Sequence, residues 1–291
     1  MDKWTTFIKE RFKPLEYVPL IFLFVGVNYL YVARQFDFSS SWFPLLLMCL
    51  VSLFFFFRMR LFDEIKDYDI DLVINPTRPL ARGLLSVAQV RKTIIFLIAL
   101  EVLLAFSFGL VPGLIYTGAV FYSLLMFKEF FIGDYLRPHL TTYAVTHTIV
   151  VALLGYAVMS LSLAQTAHKI PAAAPWFLLS HWFIFNLFEF ARKTFGPDEE
   201  RSDVPSYSKI FTLRGAYLLS LSQVLLSVGA LSLVLPQNSI LSLSGLAFLY
   251  TLFIIFHLLK VAAFTAKTFR LLSTAYMGLH FILLFTTLWS Y

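Results

Sequence analysis

The chain has 291 residues, of which 59% are hydrophobic and only 14% are charged, and its mean hydropathy is +0.78. Soluble domains carry about 25% charged residues, so the composition indicates an integral membrane protein and excludes an ordinary soluble enzyme. The single cysteine, Cys49, excludes disulfide frameworks and cysteine-based metal sites. The formal charge of +6 fits membrane topology and anion binding, so we expect no nucleic-acid partner.

The N-terminal residues 1–13 alternate basic and aromatic side chains. They contain no short apolar core with a small-residue cleavage site, so we expect no cleavable signal. Trp4, Phe7, Ile8 and Phe12 can form one side of a short interfacial helix. A disordered leader explains the same residues nearly as well.

Windows of about 20 apolar residues predict membrane-spanning helices. Nine such windows occur, near 16–35, 41–62, 90–108, 111–127, 139–163, 173–192, 212–234, 240–262 and 271–290. The runs are long and continuous, and backbone groups in lipid must bond within their own segment, so closed β-barrels are excluded. We therefore predict an all-α integral membrane protein. It would be a single membrane domain over 1–291, a nine-transmembrane-helix bundle with a polar cavity that opens at the cytoplasmic side.

The distribution of basic residues agrees with nine spans. The N-terminus and the loops after helices two, four, six and eight then share one side, which holds all 23 Lys and Arg except Arg34 and Lys169. The positive-inside rule makes that side cytoplasmic. We expect a bacterial cytoplasmic membrane with the N-terminus and the active-site loops in the cytoplasm, and an organelle membrane is the alternative.

Five carboxylates lie within nine residues directly after the second predicted span. On a continuous helix at about 100° per residue, four of them share one face and Asp69 falls on the far side. The four are Asp63, Glu64, Asp67 and Asp71. Such like charges repel one another, and a polyvalent cation explains the crowding most readily. Oxygen ligands favour Mg²⁺ held jointly with the phosphates of a substrate.

The alternative is a solvated loop without a metal. In that interpretation the acids are balanced by the basic residues around them, which are Arg58, Arg60, Lys66, Arg78 and Arg82. Charge clusters beside membrane spans are often no more than this. The four-residue spacing of the acids, together with the rule that ionisable groups at membrane depth are functional by default, favours the metal.

Two predicted cytoplasmic loops are long, and each begins with acid at a helix end. The first spans 63–91, and the second spans 189–209, begins at Glu189 and contains Asp198 and Glu199. Two acidic helix ends that face each other can hold a diphosphate between magnesium ions. Neighbouring basic residues can then bind the remaining phosphate oxygens.

Other polar residues are weaker candidates. Lys128 ends the fourth predicted span, where snorkelling to the interface is the commoner role, but Glu129 beside it favours a phosphate ligand. Asn186 lies one turn before Glu189 on nearly the same face. Ionisable residues inside the spans are expected to bond neighbouring helices; they are Glu101, His147, His181, His257 and His280.

The motifs resemble those of the UbiA superfamily of intramembrane prenyltransferases. Its members have nine transmembrane helices and a first motif Asn-Asp-x-x-Asp-x-x-x-Asp, followed by Arg-Pro-Leu and a glycine. Residues 63–71 read Asp-Glu-x-x-Asp-x-x-x-Asp, and residues 78–83 read Arg-Pro-Leu-x-x-Gly. The second motif is commonly Asp-x-x-x-Asp, whereas residues 189–193 read Glu-Phe-Ala-Arg-Lys. Asp198 or Glu199 could supply the missing acid.

The resemblance implies a set of residues for each part of the reaction. Magnesium would bind an isoprenyl diphosphate through Asp63, Glu64, Asp67, Asp71 and Glu189, with Asp198 or Glu199 completing the set. Basic side chains would neutralise the departing pyrophosphate; they are Arg78, Arg82, Lys128 and Lys193. The allylic cation would then meet its acceptor inside an aromatic helix bundle, away from water.

The leading interpretation is Mg²⁺-dependent transfer of a prenyl chain to a lipophilic acceptor, preferably aromatic, among membrane lipids. The runner-up is a membrane terpene cyclase, a role also present in this superfamily, which uses the same cation intramolecularly. A transporter is less favoured, because transporter acids gather near the middle of the bilayer. Here the acids gather at one predicted surface. Hydropathy does not determine the donor chain length or the acceptor.

Overall fold

The computed structural model describes residues 2–36, 42–202, 204–259 and 265–290. All regular secondary structure in these residues is helical, which confirms the predicted all-α class. The predicted start of the second span, at residue 41, and the predicted end of the eighth span, at residues 260–262, lie outside the described part of the chain.

The chain forms two compact units. Unit 1 comprises Met1–Phe131 and Ala157–Ile170, and unit 2 comprises Ile132–Tyr156 and Pro171–Tyr291. The single membrane domain over 1–291 stays a prediction.

Unit 1 begins with the helices α1 to α6. These are α1 (Lys3–Arg11), α2 (Pro14–Phe36), α3 (Trp42–Lys66), α4 (Tyr68–Ile74), α5 (Val87–Phe106) and α6 (Leu110–Phe127). A capping box starts α5, in which the Ser86 hydroxyl accepts from the Gln89 N–H and the Gln89 side chain accepts from the Ser86 N–H. Such a cap satisfies two backbone donors that the helix itself leaves unbonded.

The N-terminal helix α1 packs against α3. Phe7 is completely buried, and its ring centroid lies 6.1 Å from that of Phe57 in α3. Phe12 approaches the same Phe57 ring to 5.2 Å. The sequence alternative of a disordered leader is therefore wrong, because the apolar side of α1 contributes to the core of unit 1.

The helices after α6 belong to unit 2, except that α9 belongs to unit 1 from Ala157 onward. They are α7 (Gly133–Leu136), α8 (Leu140–Thr148), α9 (Val150–Leu163), α10 (Ala174–Arg192), α11 (Tyr207–Ser232), α12 (Gln237–Leu258) and α13 (Ala266–Ser290). A 3₁₀ segment, Ala164–Lys169, follows α9.

Among the described residues, seven helical segments are long and apolar enough to cross a membrane. They are α2, α3, α6, the combined segment Leu140–Leu163, α11, α12 and α13. These segments support a multi-pass integral membrane protein. The third and sixth predicted spans overlap α5 and α10, which are not among the seven. The nine-span count and the cytoplasmic cavity therefore stay predictions.

Two predicted spans differ in detail from the structure. The span at 139–163 is divided at Ile149, where α8 ends and α9 begins. The Thr148 hydroxyl donates to the Ala144 carbonyl, and bonds of this kind bend helices. The span predicted from 212 lies within α11, where Thr212 has a φ of 63° and its hydroxyl accepts from the Gly215 N–H. Thr212 thus acts as an internal cap.

Candidate functional site

The acidic segment does not form one uninterrupted helix. α3 ends at Lys66 and α4 begins at Tyr68, with Asp67 between them. Backbone bonds of helical spacing still cross the junction, from the Asp67 N–H to the Asp63 carbonyl at 2.9 Å and from the Asp71 N–H to the Asp67 carbonyl at 2.8 Å. The carboxylates one turn apart therefore stay on neighbouring positions.

Asp67 and Asp71 converge on one cation, the guanidinium of Arg78. Arg78 Nη1 lies 2.6 Å from Asp71 Oδ2 and 3.5 Å from Asp67 Oδ2. Asp71 is nearly buried, at 5% side-chain exposure, whereas Asp67 is 49% exposed. The Asn75 amide also donates to Asp71 Oδ1 at 3.0 Å. The structure thus brings together two of the four predicted acids at a single point.

The Arg-Pro-Leu-x-x-Gly segment explains why Arg78 reaches these acids. Leu80 is 3% exposed and belongs to the core of unit 1, so it anchors the turn beside α3. Gly83 closes the turn with a φ of 77°, a conformation that glycine adopts at little cost. The Leu84 N–H donates to the Pro79 carbonyl at 2.9 Å across this turn.

Glu64 and Asp63 point to other cations. Glu64 is 1% exposed, and its Oε1 accepts from Arg11 of α1 at 2.5 Å and from Arg60 at 3.2 Å. Its second oxygen, Oε2, is buried without a hydrogen-bond partner among the described residues. Asp63 is exposed and lies 3.5 Å from Arg60. Asp69 is exposed, as the helical projection predicts for the far side.

Three of the five basic residues proposed to balance these acids pair elsewhere instead. Arg58 pairs with Glu101, Lys66 pairs with Glu129 at 3.3 Å, and Arg82 forms a fork with Glu10 at 2.9 Å for each bond. Arg60 and Arg78 do pair with acids of the segment. The simple balancing interpretation is therefore incomplete, because long-range partners take up most of its cations.

Lys128 caps the C-terminal end of α6 and is exposed. Its Nζ lies 5.5 Å from the centroid of the Phe127 ring. The next three residues, Glu129, Phe130 and Phe131, all have positive φ values of 49°, 54° and 58°. Left-handed backbone is costly for residues other than glycine. Lys128 is thus held at a tightly constrained turn, and its role as a phosphate ligand stays a prediction.

The acidic end of α10 has a different construction. Glu189 is 14% exposed and accepts a fork from Arg192, with bonds of 2.5 and 2.8 Å. Lys193 Nζ lies 3.3 Å from Glu189 Oε1. The two cations lie three and four residues after the acid, so all three of these side chains come from a single helix end.

The two candidates for the second acid differ. Asp198 is exposed, whereas Glu199 accepts a fork from Arg270 of α13 with bonds of 2.9 and 2.6 Å. The Gly196 N–H also donates to Glu199 at 3.1 Å. The hydrogen bonds from Arg270 lower the pKa of the Glu199 carboxyl to about 2. Arg270, near the start of α13, therefore binds an acid of the loop that follows α10.

Asn186 has a structural partner within unit 2. It is 1% exposed, and its Oδ1 accepts from the Thr148 hydroxyl. The same hydroxyl accepts from Trp182 Nε1 at 3.0 Å. Asn186 therefore links α10 to α8, and its assignment to the candidate site stays a prediction.

The donor set fits magnesium, although no cage of three or more His, Cys, Asp or Glu side chains exists among the described residues. Mg²⁺ is usually held by one or two carboxylates together with substrate phosphates, and not by an all-protein cage. Asp67 and Asp71 already converge on a positive group. Glu64 Oε2, which is buried without a hydrogen-bond partner among the described residues, is a further carboxylate oxygen close by in sequence.

A buried charge network in unit 1 confirms the expectation that Glu101 bonds a neighbouring helix, although sequence reasoning did not identify its partners. Arg58 and Glu101 are both completely buried and form two parallel bonds of 3.0 Å each. Arg58 also donates to Ser123 at 2.8 Å, and Tyr116 donates to Glu101 at 3.4 Å. The signal was present as two opposite charges within predicted spans, but the pairing requires knowledge of which helices are neighbours.

Comparisons with known proteins bear on the fold. No protein-family model matches the chain, and no curated protein matches it. The structure is similar to one described as digeranylgeranylglyceryl phosphate synthase in membranes, with a TM-score of 0.69 and 16% identity over 100% of both chains.

It is also similar to the apo structure of a UbiA homolog from Aeropyrum pernix K1. That match has a TM-score of 0.69 and 15% identity, and it covers 94% of this chain and 98% of the other. Identity this low establishes the fold and not the reaction. The comparison confirms that the chain has the fold of the UbiA superfamily.

Proposed function

We propose that the protein catalyses Mg²⁺-dependent transfer of a prenyl chain from an isoprenyl diphosphate to a lipophilic acceptor, with release of pyrophosphate. The observation that carries this proposal is the convergence of Asp67 and Asp71 on Arg78 in a protein with a UbiA-type fold. Two carboxylates and a guanidinium at one point can bind both a divalent cation and a phosphate.

Each residue has a distinct proposed role. Asp67 and Asp71 would hold the magnesium that binds the diphosphate, and Glu64 would add its buried second oxygen. Arg78 provides a planar fork that binds phosphate oxygens in pairs. Magnesium, when bound, neutralises charge that grows on the leaving pyrophosphate.

The acidic end of α10 supplies the proposed second motif. Glu189 is the acid, and Lys193 is the residue that binds phosphate directly. Arg82, Lys128, Asp198 and Glu199 remain further candidates. One structural neighbour is described as a digeranylgeranylglyceryl phosphate synthase, which supports an isoprenoid lipid as the substrate class.

The test uses the purified chain in lipid nanodiscs with geranyl, farnesyl or geranylgeranyl diphosphate. We expect pyrophosphate release that requires Mg²⁺ and falls by about 10²-fold or more in Asp67→Ala and Asp71→Ala, because the charge on the leaving group is no longer stabilised. Asp69→Ala is the matched control, since Asp69 is exposed within the same segment. Unchanged release in both Asp67→Ala and Asp71→Ala would contradict the proposal.

Product analysis separates transfer from cyclisation. The same incubation is run with and without a phenolic acceptor. A prenylated acceptor supports transfer, whereas a cyclised hydrocarbon or alcohol formed without any acceptor identifies a terpene cyclase instead.

A further inference from the structure

The interior of unit 2 contains polar side chains that the diphosphate chemistry does not use. His280 of α13 is completely buried, and neither of its ring nitrogens has a hydrogen-bond partner among the described residues. Tyr276, one turn earlier, is 2% exposed, and its hydroxyl is likewise without a partner there. Buried polar atoms without partners cost free energy and are rare in native proteins, so each of them calls for a physical explanation.

These two side chains form one cluster with aromatic walls. The rings of Tyr276 and His280 are stacked with centroids 6.0 Å apart. Tyr250 of α12 lies 5.0 Å from Tyr276, and Phe281 lies 5.8 Å from His280. The ring of His181 in α10 lies 5.3 Å from that of Phe281. Helices α10, α12 and α13 therefore all contribute to the cluster.

The chemistry of the cluster selects a class of ligand. A neutral imidazole presents one donor and one acceptor, and a tyrosine hydroxyl can do both. Together they match a hydroxyl group, which also donates and accepts. The named members carry no cationic Lys or Arg side chain, so a phosphorylated ligand would lie there without charge compensation. Aromatic walls favour a flat ring by edge and face contacts.

We propose that the Tyr276–His280 cluster is a binding site for a neutral lipophilic phenol, which is the acceptor class of the reaction. The description of this ligand as the acceptor rests on the proposed function. The binding site itself rests only on the unpartnered atoms and their aromatic surroundings. His181 lies eight residues before Glu189, about 12 Å along α10. We therefore assign the cluster a role in binding the ligand and none in proton transfer.

The experiment measures binding of 4-nonylphenol to the full chain in nanodiscs, without magnesium or prenyl diphosphate. Nonylbenzene, which lacks the hydroxyl, and nonyl phosphate, which is charged, are the matched probes, and empty nanodiscs correct for partition into lipid. The local readout is the ¹³Cε1 resonance of His280, identified as the signal that disappears in His280→Phe. We expect 4-nonylphenol alone to shift this resonance.

Tyr276→Phe removes a single oxygen, and we expect it to weaken binding of 4-nonylphenol about tenfold. His139→Gln, at an exposed histidine of unit 2, is the control and should bind like the unmodified chain. Equal shifts from nonylbenzene and 4-nonylphenol, or full affinity in Tyr276→Phe, would overturn the site. If His280→Phe does not fold, the affinity of Tyr276→Phe for 4-nonylphenol, corrected with empty nanodiscs, still tests the site without an assigned resonance.

This outcome is separable from that of the proposed function. If 4-nonylphenol binds at the cluster but no prenyl diphosphate is consumed, the binding site is supported and the proposed transferase activity is contradicted. If Asp67→Ala abolishes pyrophosphate release while 4-nonylphenol does not shift the His280 resonance, the proposed enzyme activity is supported and the binding site is contradicted.

Discussion

Glu101 of unit 1 and Glu189 of unit 2 are paired in different ways. Glu101 is bonded by Arg58, which is 43 residues away, and Glu64 of the same unit is bonded by Arg11, which is 53 residues away. Glu189 is bonded by Arg192 and by Lys193 of its own helix end, although unit 2 also contains a long-range pair, Glu199 with Arg270, 71 residues apart.

The buried interiors of the two units also differ, in whether their polar side chains are charged. Unit 1 buries the charged pair of Arg58 and Glu101, whereas unit 2 buries neutral groups such as Asn186 and His181. The His181 ring bonds the Phe177 carbonyl one turn earlier, at 2.8 Å. A buried charge needs a tertiary partner, but a neutral side chain can satisfy part of its hydrogen bonding within its own helix. We therefore expect substitutions to have larger effects in unit 1.

The largest effect should come from Glu101→Leu. It leaves the buried Arg58 charge without its carboxylate, which costs about 3–5 kcal/mol of unfolding free energy. Unfolding in a titration with sodium dodecyl sulfate measures the change. Glu16→Gln, which breaks an exposed pair with Lys13, is the control and should cost about 1 kcal/mol or less.

The double variant Arg58→Met with Glu101→Leu sharpens this result. Replacing both charges by apolar side chains is often neutral or stabilising, so we expect it to recover most of the stability lost in Glu101→Leu. A double variant as unstable as the single one would show that the ion pair is not the reason for the loss.

The second effect concerns activity at the two acidic helix ends. Arg78→Ala should lower Mg²⁺-dependent pyrophosphate release about 10²-fold, because the guanidinium that joins Asp67 and Asp71 is lost. Arg192→Ala removes a half-exposed local partner and should lower it by roughly fivefold or less. Equal losses at both positions would mean that the convergence of two acids on Arg78 has no more functional weight than the pairing of one acid with Arg192.

A smaller effect is expected from Thr148→Val in unit 2. The substitution keeps the side-chain shape but removes the hydroxyl that bonds Asn186 and Trp182. Hydrogen bonds between membrane helices contribute about 0.6 kcal/mol on average and at most about 2 kcal/mol. Thr142→Val, whose hydroxyl is on the same helix α8, provides the comparison. A loss as large as that of Glu101→Leu would contradict the distinction between neutral and charged interiors.

The smallest effect is a pH dependence from Glu199. Its pKa is lowered from 4.5 to about 2 by the hydrogen bonds from Arg270, so the pair stabilises the folded state when Glu199 is ionised. This contribution is complete above the unfolded pKa and is lost as the pH falls from about 4.5 towards about 2. The melting temperature should therefore fall less in Glu199→Gln than in the unmodified chain over that window. Asp198→Asn is the control at the exposed neighbouring position, and parallel curves for Glu199→Gln and the unmodified chain would contradict the role of the pair.

The acidic segment illustrates how far the sequence carries the candidate site. Its spacing predicted that Asp67 and Asp71 would be neighbours and that Asp69 would be turned away, and the structure agrees. It also predicted one face for four acids, whereas Glu64 is turned to Arg11 and Arg60. The helical projection contains no information about cations contributed by α1, which is why that part of the prediction was incomplete.

The sequence by itself determined the positions of the long helices, because each segment in lipid must satisfy its own backbone and therefore shows a local apolar run. It also determined the acidic motif, since spacing along a helix is a local property. Only the tertiary structure decided that Arg58 pairs with Glu101, that Arg270 binds Glu199, and that His280 is buried beside Tyr276. The physical reason is that side-chain partners come from neighbouring helices, and helix neighbours are set by packing between segments far apart in the chain.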